Sequence, residues 1–153
     1  MLQKTGGIEI MDKVNIVFWS QSGNTESMAN AVAEGVTAAG KEAVVTEVSS
    51  ASLDDLKTAK GFALGCPAMG VEVLEECEME PFVCDVEGFA AGKTIALFGS
   101  YGWGDGQWMR DWVDRMTAAG AVVVNGEGVI CNEAPDDEAL EACKDLGRQL
   151  AGL

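Results

Sequence analysis

Five short apolar runs recur along the chain, and each is followed by a stretch whose apolar residues return at helical spacing or by a helix-initiating signal. The runs cover residues 14–19 (V-N-I-V-F-W), 43–48, 61–66, 94–98, and a split pair at 122–124 and 129–131. A strand with one wet face alternates polar and apolar residues. A near-continuous apolar strand is covered on both faces, which is the habit of parallel sheets. The intervening stretches supply the covers. Met28, Val32, Val36 and Ala39 mark a helix over 24–39 that stops at Gly40. Residues 53–58 read as a short helix, and Pro81 sits where a first helical turn tolerates a missing N–H. Trp108, Trp112 and Met116 lie four apart on a further helix with Asp105 as its cap. Ala139, Leu140, Cys143, Leu146 and Leu150 form the stripe of the last, capped by Asp136 or Asp137. The pattern predicts an α/β fold: a doubly wound five-stranded parallel sheet, strand order 2-1-3-4-5, with helices on both faces. N-G-E-G at 125–128 breaks the fifth strand as a turn or bulge. Residues 1–12 show no periodicity and read as an N-terminal extension, with Met11 as an alternative start, before a folded domain of residues 13–153.

Charge and residue usage narrow the chemistry. Ten basic residues face 25 acidic ones, a net charge of −15. That excess excludes nucleic acid and anionic membrane as expected partners and favours proteins with basic docking faces. Histidine is absent, so Ser-His and Cys-His nucleophile pairs and the commonest neutral metal ligand are missing. The five cysteines show no C-x-x-C spacing and read as free thiols, with no metal or cluster ligand set. Free thiols and the lack of a signal-like or membrane-length apolar run give a cytoplasmic, monomeric protein as the expectation.

In an open parallel sheet of this order, ligands bind beyond the carboxyl ends of the strands, at the switch between the first and third. Three loops meet there. The first, Ser20-Gln21-Ser22-Gly23-Asn24-Thr25, enters a helix. Its hydroxyls, amides and free helix-start N–H groups suit a phosphate, although an ordinary capped turn uses the same residues. It contains neither the Gly-Lys-Ser/Thr of a P-loop nor a G-x-G-x-x-G fingerprint, and no Lys or Arg occurs between Lys13 and Lys41. The second loop, Pro67-Ala68-Met69-Gly70-Val71-Glu72, offers a soft apolar side chain and a carboxylate. Each of these also has a plain reading, as core filler and as solvated surface. In the third loop, Ser100, Tyr101, Gly102, Trp103 and Gly104 set two aromatics among glycines. Trp103 lies off the helical stripe and is placed to cover a flat ligand. Phosphate donors at one end and apolar covers at the other suit a mononucleotide, FMN best.

The three stretches W-S-Q-S-G-N-T-E, G-C-P-A-M-G-V-E and F-G-S-Y-G-W-G-D-G-Q-W-M together resemble the phosphate loop and the two flavin loops of the flavodoxins, in particular the short-chain forms of anaerobic bacteria. The likeness runs from about Val14 to the C-terminus. It implies one tightly but non-covalently bound FMN. Ser20, Ser22, Asn24 and Thr25, with loop N–H groups that include those of Gln21 and Gly23, would hold its phosphate. Met69 and Trp103 would flank the ring, and Glu72 would accept a hydrogen bond from N3. The Gly70–Val71 peptide would turn its carbonyl towards N5 on reduction. Ser100, Tyr101, Gly102 and Gly104 would line the ring edge or ribityl chain. Pro67 and Ala68 complete the second loop, and Pro67 supplies no side-chain bond to phosphate. Val71 is bulkier than the residue often found there.

The expected function is a low-potential one-electron carrier that shuttles between semiquinone and hydroquinone, passing electrons between reductases and acceptors. It would not be an enzyme. A small FMN-dependent quinone or azo reductase of the same fold is the alternative, but the short connections leave little chain for a substrate pocket. A receiver domain of like topology would need acidic residues after the first strand and an Asp after the third. Ser-Gln-Ser-Gly and Cys-Pro stand there instead.

Overall fold

The computed structural model describes residues 13–153; the expected extension, residues 1–12, lies outside the described residues. The first strand, β1 (Lys13–Phe18), pairs in parallel with β2 (Glu42–Glu47) on one side and β3 (Gly61–Gly65) on the other. β3 pairs in parallel with β4 (Thr94–Tyr101). The fifth position is shared. β5 (Val122–Val123) pairs with Thr94 and Ile95, and β6 (Val129–Asn132) pairs with Phe98–Tyr101. The order is therefore 2-1-3-4-5, with the break in the fifth strand falling at residues 124–128. There the chain makes a short 3₁₀ turn in which Asn125 and Gly126 take positive φ. β4 runs three residues past the stretch expected from the sequence because β6 satisfies its second half.

Successive side chains of each strand point to opposite faces, so two cores form. Val14, Ile16 and Phe18 of β1, Ala63 of β3, and Ala96 and Phe98 of β4 pack under α1 (Asn24–Ala38) and α5 (Asp137–Ala151). Val17, Phe62, Leu64, Ile95 and Leu97 pack on the other face under α2 (Leu53–Thr58), α3 (Met79–Glu87) and α4 (Gln107–Ala118). Trp108, Trp112 and Met116 of α4 are fully buried there, as their spacing requires. Asp136 caps α5 by accepting the Ala139 N–H at 2.9 Å.

Two starts differ from expectation. α3 begins at Met79, two residues before Pro81. The Glu75 carboxylate bonds the N–H groups of Cys77, Glu78 and Met79 at 2.7–3.0 Å and so fixes the first turn. α4 is not capped by Asp105: Gly106 holds the N-cap position and Asp105 pairs with Arg110 at 2.9 Å.

α1 and α5 lie backbone to backbone where Gly35 meets Gly147. A Cβ on Gly35 would fall on the Lys144 carbonyl, and one on Gly147 on the Val32 carbonyl. Gly35→Ala or Gly147→Ala is expected to destabilise the fold by about 1–3 kcal/mol in urea unfolding, overpacking outweighing the better helix propensity of alanine. Unchanged stability would mean that the two helices do not approach this closely.

Candidate functional site

The carboxyl ends of β1, β3 and β4 deliver three loops to one place. Trp19 N–H bonds the Gly65 carbonyl at 3.0 Å, and Ala68 N–H bonds the Ser100 carbonyl at 3.0 Å. These bonds extend the strand pairing into the loops and hold them side by side. Gly23 then turns the chain into α1 with φ 95°, a conformation open to glycine at little cost. The Ser20 Oγ accepts the N–H groups of Gly23 and Glu26 at 3.2 and 3.3 Å. With its lone pairs so engaged, its proton is free to be donated outward. The Ser22 Oγ accepts the Asn24 N–H at 3.4 Å. Thr25 is buried with its hydroxyl 3.4 Å from that of Ser100, whose N–H it also accepts at 3.4 Å. Among the described residues, the N–H groups of Gln21, Ser22 and Thr25 have no acceptor. They are the orphan donors of a helix start.

The second loop closes on itself. Met69 and Val73 exchange both backbone bonds, at 2.8 and 2.9 Å, around Gly70, Val71 and Glu72. Gly70 and Glu72 both take positive φ, 49° and 55°. The Glu72 carboxylate crosses to the third loop and accepts the Gln107 N–H at 2.9 Å, the cap expected of Asp105. Gly104 makes room for it, since a Cβ there would lie 2.6 Å from the Glu72 carboxyl carbon.

Between these loops lies a cleft of about 230 Å³. Eleven residues named from the sequence line it: Ser20, Gln21, Ser22, Asn24, Thr25, Pro67, Ala68, Met69, Ser100, Tyr101 and Gly102. Gly23 shapes the turn without lining the cleft. Gly70, Val71, Glu72, Trp103 and Gly104 stand on the outer parts of the same loops. Val71 is 80% exposed and Trp103 64% exposed. The Val71 side chain is therefore uncrowded, and its bulk does not press on Gly70. Larger grooves exist, one of about 570 Å³ between β6 and α5. That groove lies away from the ends of β1 and β3, where the donors converge, so the smaller cleft is the candidate site.

Sequence reasoning missed Glu133. It lines the cleft, takes φ 59°, and its N–H bonds the Tyr101 carbonyl at 2.8 Å. Its place just past β6, at the same edge as the other loops, was the available signal. Among the described residues no Lys or Arg lines the cleft. Arg110, the cation nearest in sequence to the third loop, is held by Asp105 and Gln107. Cys66 is fully buried below the cleft, where burial pushes its thiol up to about 12 and disfavours the thiolate. Among the described residues no group of three or more His, Cys, Asp or Glu is placed to hold a metal, and no helix is long and apolar enough to cross a membrane.

A doubly wound sheet with a neutral-donor anion cradle at its switch point and unpacked apolar side chains beside it defines a mononucleotide-binding α/β protein. The flavodoxin family model matches residues 16–147. A flavodoxin from Clostridium beijerinckii is 46% identical over 140 residues, covering 92% of this chain and 100% of that one. A flavodoxin from Megasphaera elsdenii is 44% identical over 138 residues, covering 90% and 98%. The solution structure of the two-electron reduced Megasphaera elsdenii protein superposes with a TM-score of 0.83, covering 92% of this chain and 99% of that one. An archaeal flavodoxin structure, 30% identical, gives 0.81 over 92% and 96%. The chain belongs to the flavodoxin family, the FMN-binding electron carriers.

Glu75 sets the loop that runs from the cleft into α3. Burial works to raise its pKa, but the backbone bonds from Met79, Cys77 and Glu78 outweigh burial and hold it below the ordinary carboxylate value. A carboxyl whose native pKa is depressed stabilises the fold above its unfolded value, and that stability is lost as pH falls through the native one. Glu75→Gln should therefore cost about 1–3 kcal/mol in urea unfolding at pH 7 and progressively less towards pH 3. An equal loss at both pH values would show that its charge contributes nothing.

Proposed function

We propose that the cleft holds the phosphate and ribityl end of one non-covalently bound FMN, and that the protein is a low-potential one-electron carrier. When bound, FMN supplies the capacity to take up and release electrons one at a time. The observation that carries the reading is the pairing of orphan N–H groups and hydroxyls with a lack, among the described residues, of lining cations. Ser20, Ser22, Asn24 and Thr25, with the N–H groups of Gln21 and Ser22 and the turn at Gly23, bind the phosphate. Ser100, Tyr101, Gly102, Pro67 and Ala68 wall the middle of the cleft. Met69 and the exposed Trp103 cover the ring and keep water from it. Glu72 orients the ring edge with the carboxylate oxygen not given to Gln107, while Gly104 leaves space for that side chain. The Gly70–Val71 peptide, with φ 49° at Gly70 and an exposed Val71, would be free to turn its carbonyl towards the ring edge.

Charge sets the potential. Two like charges about 8 Å apart repel by roughly 2 kcal/mol at an effective dielectric near 20. A phosphate without a cationic partner, with Glu72 and Glu133 nearby, makes the last electron hard to add. Glu75 contributes less than its place in the sequence suggests, because its charge is spent on the start of α3. Docking partners are redox proteins with basic faces, met by a monomer in the cytoplasm. A small quinone or azo reductase is not favoured, since the described loops leave the apolar covers open and build no second pocket over them.

Gln21→Lys places a cation beside the cradle. It should raise the potential of the second one-electron step by about 30–60 mV at low ionic strength, with the shift shrinking as salt is added. Redox titration that finds no shift would remove the electrostatic account. Steady-state oxidation of reduced nicotinamide by a quinone, catalysed by the protein alone, would favour the reductase instead.

A further inference from the structure

We propose that the outer edge of β6 is a docking strand for an extended segment of a partner protein in which basic and aliphatic side chains alternate. β6 pairs with β4 along one edge and, among the described residues, with no strand along the other. The edge is bare because β6, like β5, fills the fifth and last position of the sheet, beyond which the described residues supply no strand. An open edge is a row of unpaired backbone donors and acceptors and accepts a further strand. β6 reads V-I-C-N, with no Pro or Lys to deter pairing.

The flanks of this edge specify what pairs with it. On the α5 side lies the groove of about 570 Å³, floored by Val129, Cys131, Ala139 and Ala142. Glu127, Asp136, Glu138 and Asp145 rim it, and among the described residues no Lys or Arg lines it, although Arg148 lies 4.0 Å from Asp145 and Asp136 is engaged as the cap of α5. On the α4 side lies a second groove, of about 390 Å³, lined by Met109, Val113 and Ile130, with Arg110 among Asp114 and Glu127. The two grooves share Ile130 of the edge strand and Glu127 and Gly128 just before it. Successive side chains of an added strand point to opposite faces. Every second side chain therefore enters a groove whose Glu127 and Glu138 carboxylates have no cation beside them among the described residues, and the ones between enter a mainly apolar groove. Lys or Arg alternating with Val, Ile or Leu satisfies both.

The same charge argument sets aside two other occupants. Residues 8–10 of this chain read I-E-I, so the pattern that puts isoleucines on the apolar side puts a carboxylate into the acidic groove. A second copy paired edge to edge brings two acidic grooves together. β6 ends at Asn132, next to Glu133 of the cleft, so a strand docked here lies beside the cleft whatever ligand the cleft carries.

The test uses the full chain, isotopically labelled, titrated with acetyl-(Lys-Val)₃-amide and with its block isomer acetyl-Lys₃-Val₃-amide. The expected result is amide shifts confined to residues 127–132 and the facing sides of α4 and α5, slowed hydrogen exchange in β6, and binding about tenfold or more tighter for the alternating peptide. The double variant Glu138→Lys, Asp145→Lys, with an unchanged thermal transition, should weaken binding about tenfold at low salt. Four results would overturn the proposal: equal binding of the isomer, shifts centred on residues 66–80 or 99–106, no binding at about 1 mM peptide, or β6 edge amides already protected before peptide is added. The last would mean that residues 1–12 or a second copy covers the edge.

Discussion

Parallel pairing of β1 with β3 and of β3 with β4 is the constraint from which the site follows. Parallel neighbours cannot be joined by a tight turn, so each strand must send its chain back across a face through a helix. All carboxyl ends then lie along one edge. At the switch, where α1 leaves on one face and α3 and α4 on the other, the loops diverge and open a gap. The strand bonds carry on into that gap, Trp19 to Gly65 and Ala68 to Ser100. The cleft is thus walled by backbone of the sheet itself. A site built this way needs few specialised residues, since the helix start of α1 already supplies donors in want of an acceptor.

Much of this could be read in the sequence, and the parts that could be read share a physical character. Buried strands and amphipathic helices are written in local periodicity, so β1, α1, α2 and α5 fall within one or two residues of their expected bounds. The break in the fifth strand was legible because Asn-Gly tolerates positive φ where most residues do not. Eleven cleft residues were legible because the topology assigns loops to the site before any side chain is considered. Capping by remote carboxylates was not legible. Asp105 has the right type and spacing to cap α4, yet Glu72, 35 residues away in sequence, takes the bond. Glu75 stands in the glutamate-rich stretch E-E-C-E-M-E, where nothing local sets it apart, and only the fold turns it inward against the start of α3. Glu133 lacked a motif because its role comes from the register of β6 on β4 alone.

The carboxylates around the loops therefore divide by what holds them. Glu75 has three backbone N–H groups and acts as structure. Glu72 has one and ties the second loop to the third, leaving an oxygen free. Asp105 has Arg110, so that pair carries little net field. Glu133 has no hydrogen-bonding partner for its carboxylate among the described residues, and it lines the cleft. Counting acidic residues along the loops overstates the charge that a bound ligand meets. What matters is how many of those charges the fold has already engaged, and that number is smaller than the sequence suggests, with Glu72 and Glu133 as its main members. With FMN held as proposed, the potential of its ring would rest on a few unengaged carboxylates and a phosphate without a cationic partner, acting across a small cleft whose own donors are neutral. Neutral donors can bind a dianion without cancelling its charge, because each hydrogen bond stabilises the anion locally while the net charge that a more distant group feels is unchanged.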